Sequence, residues 1–153
     1  TTEIYTLSLH DALPICGHVA SLQRIWWDRK TVTQAIHHVA AKPDGFEVTL
    51  TQPLDAGVTD AALKDALQIN SWVYRDAPDY GSPAMDERKD GIKAVSLDSS
   101  RKVIRISLDN LEQTRVHPQQ TARVYHIQLT GSIVKPGDRE PGAFYTLYKF
   151  PQK

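Results

Sequence analysis

The chain contains 153 residues and carries no net charge, because 18 Lys and Arg residues balance 18 Asp and Glu residues. A neutral chain offers no electrostatic surface for nucleic acid, and no apolar run approaches the roughly 18 residues that cross a bilayer. The single cysteine, Cys16, excludes an internal disulfide and a paired-thiol metal site. We therefore expect one domain with some excess length, no nucleic-acid partner and no membrane insertion.

The first sixteen residues, TTEIYTLSLHDALPIC, do not share the pattern of the rest of the chain. Residues 3–15 resemble a translated sequencing adaptor, a string found at the ends of metagenomic reading frames. The resemblance implies that residues 1–16 were never selected to fold and that His10 and Cys16 have no function; the alternative is a genuine edge strand over residues 4–9. We expect residues 1–16 to be an artefactual tail outside the fold. Without an initiating Met or a signal peptide, we also expect the chain to be a fragment.

Residues 17–28 predict one strand that ends in the aromatic pair Trp26 and Trp27, and residues 29–33 predict a polar connector. Two adjacent tryptophans without a neighbouring strand suggest an edge that packs against a missing partner. The alternative, equally supported by the pattern, is that one of them caps the core of the following domain. That main domain is expected over residues 34–153.

The clearest strand of the chain follows a turn sequence. Phe46, Val48 and Leu50 alternate with polar residues, which is the period-two pattern of a half-buried strand. The Lys-Pro-Asp-Gly sequence at residues 42–45 predicts a turn that joins this strand to a preceding one over residues 34–41.

The adjacent histidines His37 and His38 raise the question of a metal site. Neighbouring side chains of a strand point to opposite faces, so the two imidazoles cannot share one ion. A site would need a ligand such as His117 or His126, which sequence alone cannot place nearby. We interpret them as ordinary strand histidines and expect no metal site.

Residues 58–67 give the one helical signal. Thr59 or Asp60 can cap the first turn, and Leu63 and Leu67 lie on one face at positions i and i+4. The segment is only two or three turns long, so we expect it to connect two strands.

Three aromatic residues are the candidate binding residues. The alternation over residues 68–75 places Trp72 and Tyr74 on one face of a strand, and Tyr80 follows in residues 76–91, the longest stretch without periodicity. The acidic residues there lack the spacing of a calcium loop, so we interpret the stretch as a solvated loop. The aromatics either form a ligand platform or seal the open end of the domain, where their large buried area favours the second hypothesis.

The remaining strands are predicted over residues 92–98, 102–108, 122–130 and 143–150, the first two joined by a hairpin turn. Leu111 followed by a loop and then by Tyr125 is typical of a tyrosine corner. Seven or so short strands with regular turns and one short helix predict an all-β fold, an immunoglobulin-like or fibronectin III-like antiparallel β-sandwich.

Catalytic motifs are missing from the sequence. It contains no Gly-x-Ser-x-Gly elbow, no glycine-rich phosphate loop, no His-Glu-x-x-His and no Cys-x-x-Cys-His haem attachment site. We therefore expect no catalytic site and no cofactor within this chain.

Five short motifs recur in order in a known type of module: LQRI (22–25), GFEVTLTQPLD (45–55), SWVY (71–74), DYGSP (79–83) and FYTL (144–147). The chain resembles the module that follows the β-propeller in secreted bacterial proteins related to glucose/sorbosone dehydrogenases, often fused to cytochrome c domains. A looser likeness is to bacterial surface-layer Ig-like domains. The propeller resemblance implies an exported protein, periplasmic or extracellular, in which residues 17–33 are the end of the last propeller blade and its connector.

Two functions follow as hypotheses. The first is a non-catalytic accessory domain whose partner is the β-propeller of the parent protein, which would itself hold the quinone or sugar site. The second is a free-standing module that binds polysaccharide or protein through Trp72, Tyr74 and Tyr80.

Overall fold

A computed structural model describes residues 4–7, 22–25, 30, 32–74, 81, 83–109, 111, 122–133 and 140–149. The chain divides into two compact units, residues 1–32 and residues 33–153. In the first unit, strand β1 (Ile4–Leu7) pairs antiparallel with strand β2 (Leu22–Ile25). Part of the segment predicted to be a tail therefore has a strand partner, while its adaptor origin stays a prediction. Trp26 and Trp27 lie outside the described residues.

The second unit is an antiparallel β-sandwich of two four-stranded sheets, in the orders β3-β4-β8-β7 and β10-β9-β5-β6. These orders correspond to the ABED and GFCC′ sheets of immunoglobulin-like domains, so the predicted fold class is confirmed. One short helix, α1 (Asp60–Ala66), connects the sheets. The strands are β3 (Ile36–Lys42), β4 (Gly45–Leu50), β5 (Leu67–Tyr74), β6 (Ala84–Lys89), β7 (Ile92–Leu97), β8 (Val103–Leu108), β9 (Arg123–Leu129) and β10 (Gly142–Leu147).

The core lies between the two sheets and follows the predicted alternation. Phe46, Val48 and Leu50 on β4 are buried, as predicted. The Phe46 ring crosses the sandwich and meets two tyrosines of the opposite sheet edge-on, with ring centroids 5.0 Å from Tyr125 and 5.5 Å from Tyr145. Aromatic pairs in this geometry stabilise a core beyond their buried area alone. Tyr125 is thus a core residue; the loop of the predicted tyrosine corner lies outside the described residues.

The helix begins with the predicted cap, because the Thr59 hydroxyl accepts a hydrogen bond from the Ala62 amide at 3.2 Å. Its buried residue Leu63 packs into the core. The described part of the chain has no helix long and apolar enough to span a bilayer.

The predicted hairpin between β7 and β8 is hydrogen-bonded to the loop that leads to the helix. Arg101, at a positive φ of 58°, donates from its guanidinium to the carbonyls of Leu54 at 3.0 Å and Val58 at 2.9 Å. In the same turn, hydrogen bonds from the Ser100 side chain and then the Val103 amide lower the pKa of Asp98 to about 2.

The interpretation of residues 76–91 as a solvated loop is wrong for residues 84–89, which form β6. The sequence AMDERK has no apolar alternation, since almost every side chain of this edge strand is exposed. The strand exists because it pairs with β5, and that pairing is interrupted by a bulge where Asp86 adopts a φ of 50°. Tertiary pairing has here overridden weak local propensity.

Bulges also interrupt the pairing of two further edge strands. The register shifts between Ile36 and His38 on β3, and between Ile92 and Ala94 on β7. By contrast, β10 pairs with β9 in an unbroken register over six residues, from Gly142 to Leu147.

Candidate functional site

Four aromatic side chains lie together on the outer face of the sheet β10-β9-β5-β6. We call this group, formed by Tyr74, Trp72, Phe144 and His126, the aromatic strip. Alternation accounts for its position: Ile69 and Val73 of β5 are buried in the core, so the residues between and after them face outward.

Strand register brings the members of the strip together. On the outer face, His126 of β9 is paired with Asn70 of β5 on one side and with Phe144 of β10 on the other. Trp72 is paired with Val124, one outward position further along β9. Phe144 and Trp72 therefore lie on either side of β9.

The strip is continuous. Trp72 meets Tyr74 edge-on with centroids 6.3 Å apart, and meets Phe144 edge-on at 6.1 Å. Strands β5 and β10 are separated by two strand spacings, each about 4.8 Å. The Trp72 and Phe144 rings must therefore lean toward each other over β9, which makes one surface of side chains from three strands.

Phe144 has the most exposed ring of the strip. One of its faces is stacked on the His126 imidazole, with centroids 4.4 Å apart and planes 12° from parallel. The side chain is nevertheless 66 % exposed, and Tyr74 is 48 % exposed. A ring that is covered on one face and still mostly exposed offers its other face to solvent.

The indole of Trp72 contains an unsatisfied donor. Its Nε1 is buried and has no hydrogen-bond acceptor among the described residues. Leaving a buried donor unpaired costs about 1–3 kcal/mol, so packing against its neighbours must compensate for this position.

A groove runs along each side of the strip. The first, of about 520 Å³, lies toward β6 and includes Asn70, Glu87 and Arg88 in its lining. The second, of about 560 Å³, lies at the start of β10 and includes Gln128 and Glu140. Both volumes fall in the range of about 300–1,000 Å³ that is typical of small-ligand sites.

A buried arginine supports the strip from the inner side of the sheet. Arg123 of β9 is fully buried and donates to the Ser71 hydroxyl and to the Asp86 carbonyl, both at 3.1 Å. It also forms an ion pair with the Asp86 carboxylate. These bonds tie β9 to β5 and to the bulged strand β6 directly beneath Trp72.

The outer face of the other sheet differs in chemistry. A groove of about 440 Å³ there is lined in part by Lys42, Glu47 and Arg105. Glu47 pairs with Lys42 at 3.5 Å and with Arg105 at 3.3 Å. Three of the charges in this groove are thus paired with one another, and the fourth, Asp44, accepts a hydrogen bond from the Ser107 hydroxyl.

The structure brings together two of the three residues proposed from sequence. Trp72 and Tyr74 share the strip, whereas Tyr80 lies outside the described residues. Sequence reasoning missed His126 and Phe144 as members of the site. Alternation indicated which face each occupies within its own strand, but nothing local reveals the register that places them beside β5.

The histidines proposed as possible metal ligands do not converge in the described ranges. His37 and His38 are both exposed, and His126 stacks on Phe144. His117 lies outside those ranges. Within them, no group of three or more His, Cys, Asp and Glu side chains could hold a metal ion.

Comparison with known proteins was made for families, curated sequences and folds. No family model, no curated protein and no solved structure matches the chain. The resemblance to modules that follow β-propellers therefore stays a prediction from the quoted motifs, and the site is argued from its residues.

Proposed function

We propose that the chain is a non-catalytic binding module and that the aromatic strip is its binding surface. This is supported by the distribution of large exposed hydrophobic side chains. In the described part of residues 33–153, four such side chains occur, all on or directly after strands of one sheet: Tyr74, Met85, Phe144 and Tyr148. Two of them, Tyr74 and Phe144, share the aromatic strip, and exposed apolar side chains collected on one face mark interaction sites in soluble proteins.

The sequence also favours a module without chemistry of its own. It carries none of the nucleophile, phosphate-loop, zinc-protease or haem-attachment motifs named above. The side chains of the strip supply stacking surface and packing, whereas nucleophilic catalysis needs a nucleophile held next to a base.

The setting that we propose follows from the family resemblance. The module would be an accessory domain of an exported protein related to glucose/sorbosone dehydrogenases, periplasmic or extracellular, with the β-propeller of that protein as its partner at a surface other than the aromatic strip. The alternative is a free-standing binding module. Sequencing the DNA upstream of the Gly17 codon separates the two, since propeller repeats in the same frame are expected only for the first.

The absence of catalysis has a direct test. The purified chain is assayed for dye-linked oxidation of glucose and other aldoses, with and without added pyrroloquinoline quinone. We expect no turnover above a heat-denatured control. Turnover that saturates with sugar and follows the folded fraction of the protein would overturn the proposal.

A further inference from the structure

We propose that the aromatic strip binds a neutral polysaccharide, with sugar rings stacked on the exposed rings of Phe144 and Tyr74, both of which Trp72 contacts edge-on. The proposal rests on the function given above and names the ligand class of the same surface. Pyranose rings present C–H groups on their faces and hydroxyls around their edges. They therefore fit a surface of exposed rings bordered by hydrogen-bonding side chains.

The rings are already in place for stacking. Phe144 is held by the His126 imidazole at 4.4 Å and by Trp72 at 6.1 Å, so its open face is oriented before any ligand arrives. Preorganisation of this kind reduces the entropy lost on binding. The run from Phe144 through Trp72 to Tyr74 is long enough to contact more than one sugar ring, which favours a chain over a monosaccharide.

Hydrogen-bonding groups line both grooves beside the rings. Asn70 and Glu87 line the first groove, where an amide and a carboxylate supply both donors and acceptors. In the second groove, Gln128 donates to Glu140 at 3.0 Å and keeps an amide carbonyl that can accept. Planar amides and carboxylates can each bond two neighbouring hydroxyls of a sugar.

The size of the strip argues against a folded protein as the ligand. Each aromatic side chain provides roughly 150–250 Å², and the strip exposes only part of that. Its exposed area therefore totals no more than a few hundred Å². A stable protein interface needs about 800 Å² on each partner. A polysaccharide chain lying along the strip and filling the grooves needs far less.

The charges near the strip favour a neutral ligand. Glu87 and Glu140 lie in the groove linings, and Arg88 is the basic residue there. An anionic polymer would have to approach two carboxylates. An uncharged glycan is not repelled by these carboxylates and can form hydrogen bonds with them.

The first test is native affinity electrophoresis of the full chain. Gels contain hydroxyethylcellulose, xylan, glucomannan or laminarin as neutral probes, and polygalacturonate as the anionic probe. We expect retardation in at least one neutral gel and weaker or no retardation in polygalacturonate. Migration unchanged in every neutral gel, or retardation strongest in polygalacturonate, overturns the proposal.

Variants then locate the binding surface. Phe144→Ala and Trp72→Ala should each weaken binding to the retarding polysaccharide about tenfold, the first through loss of a stacking ring and the second through loss of the edge-on contacts that hold Phe144 and Tyr74. Arg105→Ala is the control, since Arg105 is 72 % exposed and lies on the outer face of the other sheet. Urea midpoints report whether each variant folds, and exposed Phe144 keeps the test valid if the Trp72 variant does not. Undiminished binding by Phe144→Ala overturns the proposal, as does an equal loss in Arg105→Ala.

Failure of this proposal can be told apart from failure of the proposed function. Sugar-dependent turnover refutes a non-catalytic module whatever the gels show. Absence of retardation without turnover removes the polysaccharide and leaves the binding module with another ligand.

Discussion

The two sheets of the sandwich share one core and present different outer faces. On the sheet β3-β4-β8-β7, exposed charges such as Glu47 and Arg105 pair with each other. On the sheet β10-β9-β5-β6, Arg123 is buried and pairs with Asp86 at the sheet edge, and aromatic rings face out. The outer faces of the two sheets thus differ in chemistry.

The difference shows how a sandwich can set one face apart for binding. A face whose charges are mutually satisfied has little to gain from a ligand, because any new bond replaces an existing one. A face of exposed rings gains binding free energy when a ligand covers its apolar area and removes it from water. The inward arginine keeps the strands beneath those rings in register without using the outer face.

The largest expected effect comes from the glycine that begins β4. A Cβ at Gly45 would lie 1.9 Å from the Ile106 carbonyl oxygen, so β4 and β8 would have to separate. We expect Gly45→Ala to lower the free energy of unfolding by about 3 kcal/mol. Gly142 begins β10, where the atom nearest to a Cβ would be Nε2 of the His126 side chain at 3.2 Å and the nearest backbone atom would lie at 3.8 Å. Gly142→Ala should lower the free energy of unfolding by less than about 1 kcal/mol. If urea denaturation gave equal losses for Gly45→Ala and Gly142→Ala, this expectation would be contradicted.

The next effect concerns the inward ion pair. Asp86→Asn keeps a residue that tolerates a φ of 50° and removes the charge facing buried Arg123. Breaking a buried pair costs about 3–5 kcal/mol. Because the Asp86 side chain is 55 % exposed, we expect a smaller loss of about 2 kcal/mol in urea denaturation.

A double variant is the control for that experiment. Arg123→Met combined with Asp86→Asn removes both charges, so it should be less destabilised than the sum of the single variants. Strict additivity would show that the two residues do not interact.

The turn between β7 and β8 gives a pH-dependent effect on the charged sheet. The pKa of Asp98 is lowered from 3.8 to about 2, so the native state binds this proton less tightly than the unfolded state. The carboxylate therefore stabilises the fold above about pH 4, and this contribution is lost as the pH falls toward 2. We expect Asp98→Asn to be less stable than the parent chain at pH 7, with the difference narrowing between pH 4 and 2.

Denaturation curves at pH 7, 4 and 2.5 measure this narrowing. Ser100→Ala removes the first hydrogen bond to the carboxylate, so this variant should show part of the same pH-dependent loss of stability. A constant difference across the range would rule out the assigned role of Asp98.

The smallest effect is expected for the exposed ion pair. Glu47→Gln removes the partner of Arg105, whose side chain is 72 % exposed. Surface pairs of this kind contribute roughly 0–1 kcal/mol to the free energy of unfolding. We expect Glu47→Gln to lower it by less than about 0.5 kcal/mol. A loss above that of Asp86→Asn would reverse the contrast between the two sheets.

Most of the fold prediction rested on the alternation of apolar and polar residues along the strands. Phe46, Val48 and Leu50 face the core as predicted, and Thr59 caps the helix. Strand β6 escaped prediction because its residues face solvent, so no burial pattern marks it. Edge strands of this type are defined by the neighbour they pair with, which lies elsewhere in the sequence.

Only two of the four residues of the aromatic strip could be predicted from the sequence, for a related reason. Trp72 and Tyr74 are two residues apart on one strand, so alternation alone puts them on one face. Phe144 and His126 join them only through pairing registers across β9 and β10. Arg123 is the clearest surprise, since a charged residue at an inward position contradicts the pattern and is explained by its bonds to Asp86 and Ser71.

The bulges at the sheet borders have a practical consequence for protein engineering. Sheets join edge to edge when a border strand is regular, and bulges prevent this at β3, β6 and β7. Among the described border strands of the sandwich, β10 is regular and contains no charged residue. Efforts to raise solubility or add a fusion partner must therefore protect this border of the sandwich, which is the strand that carries Phe144. A protective lysine belongs at Thr146, one outward position from the ring, where solubility and access to the strip must be balanced against each other.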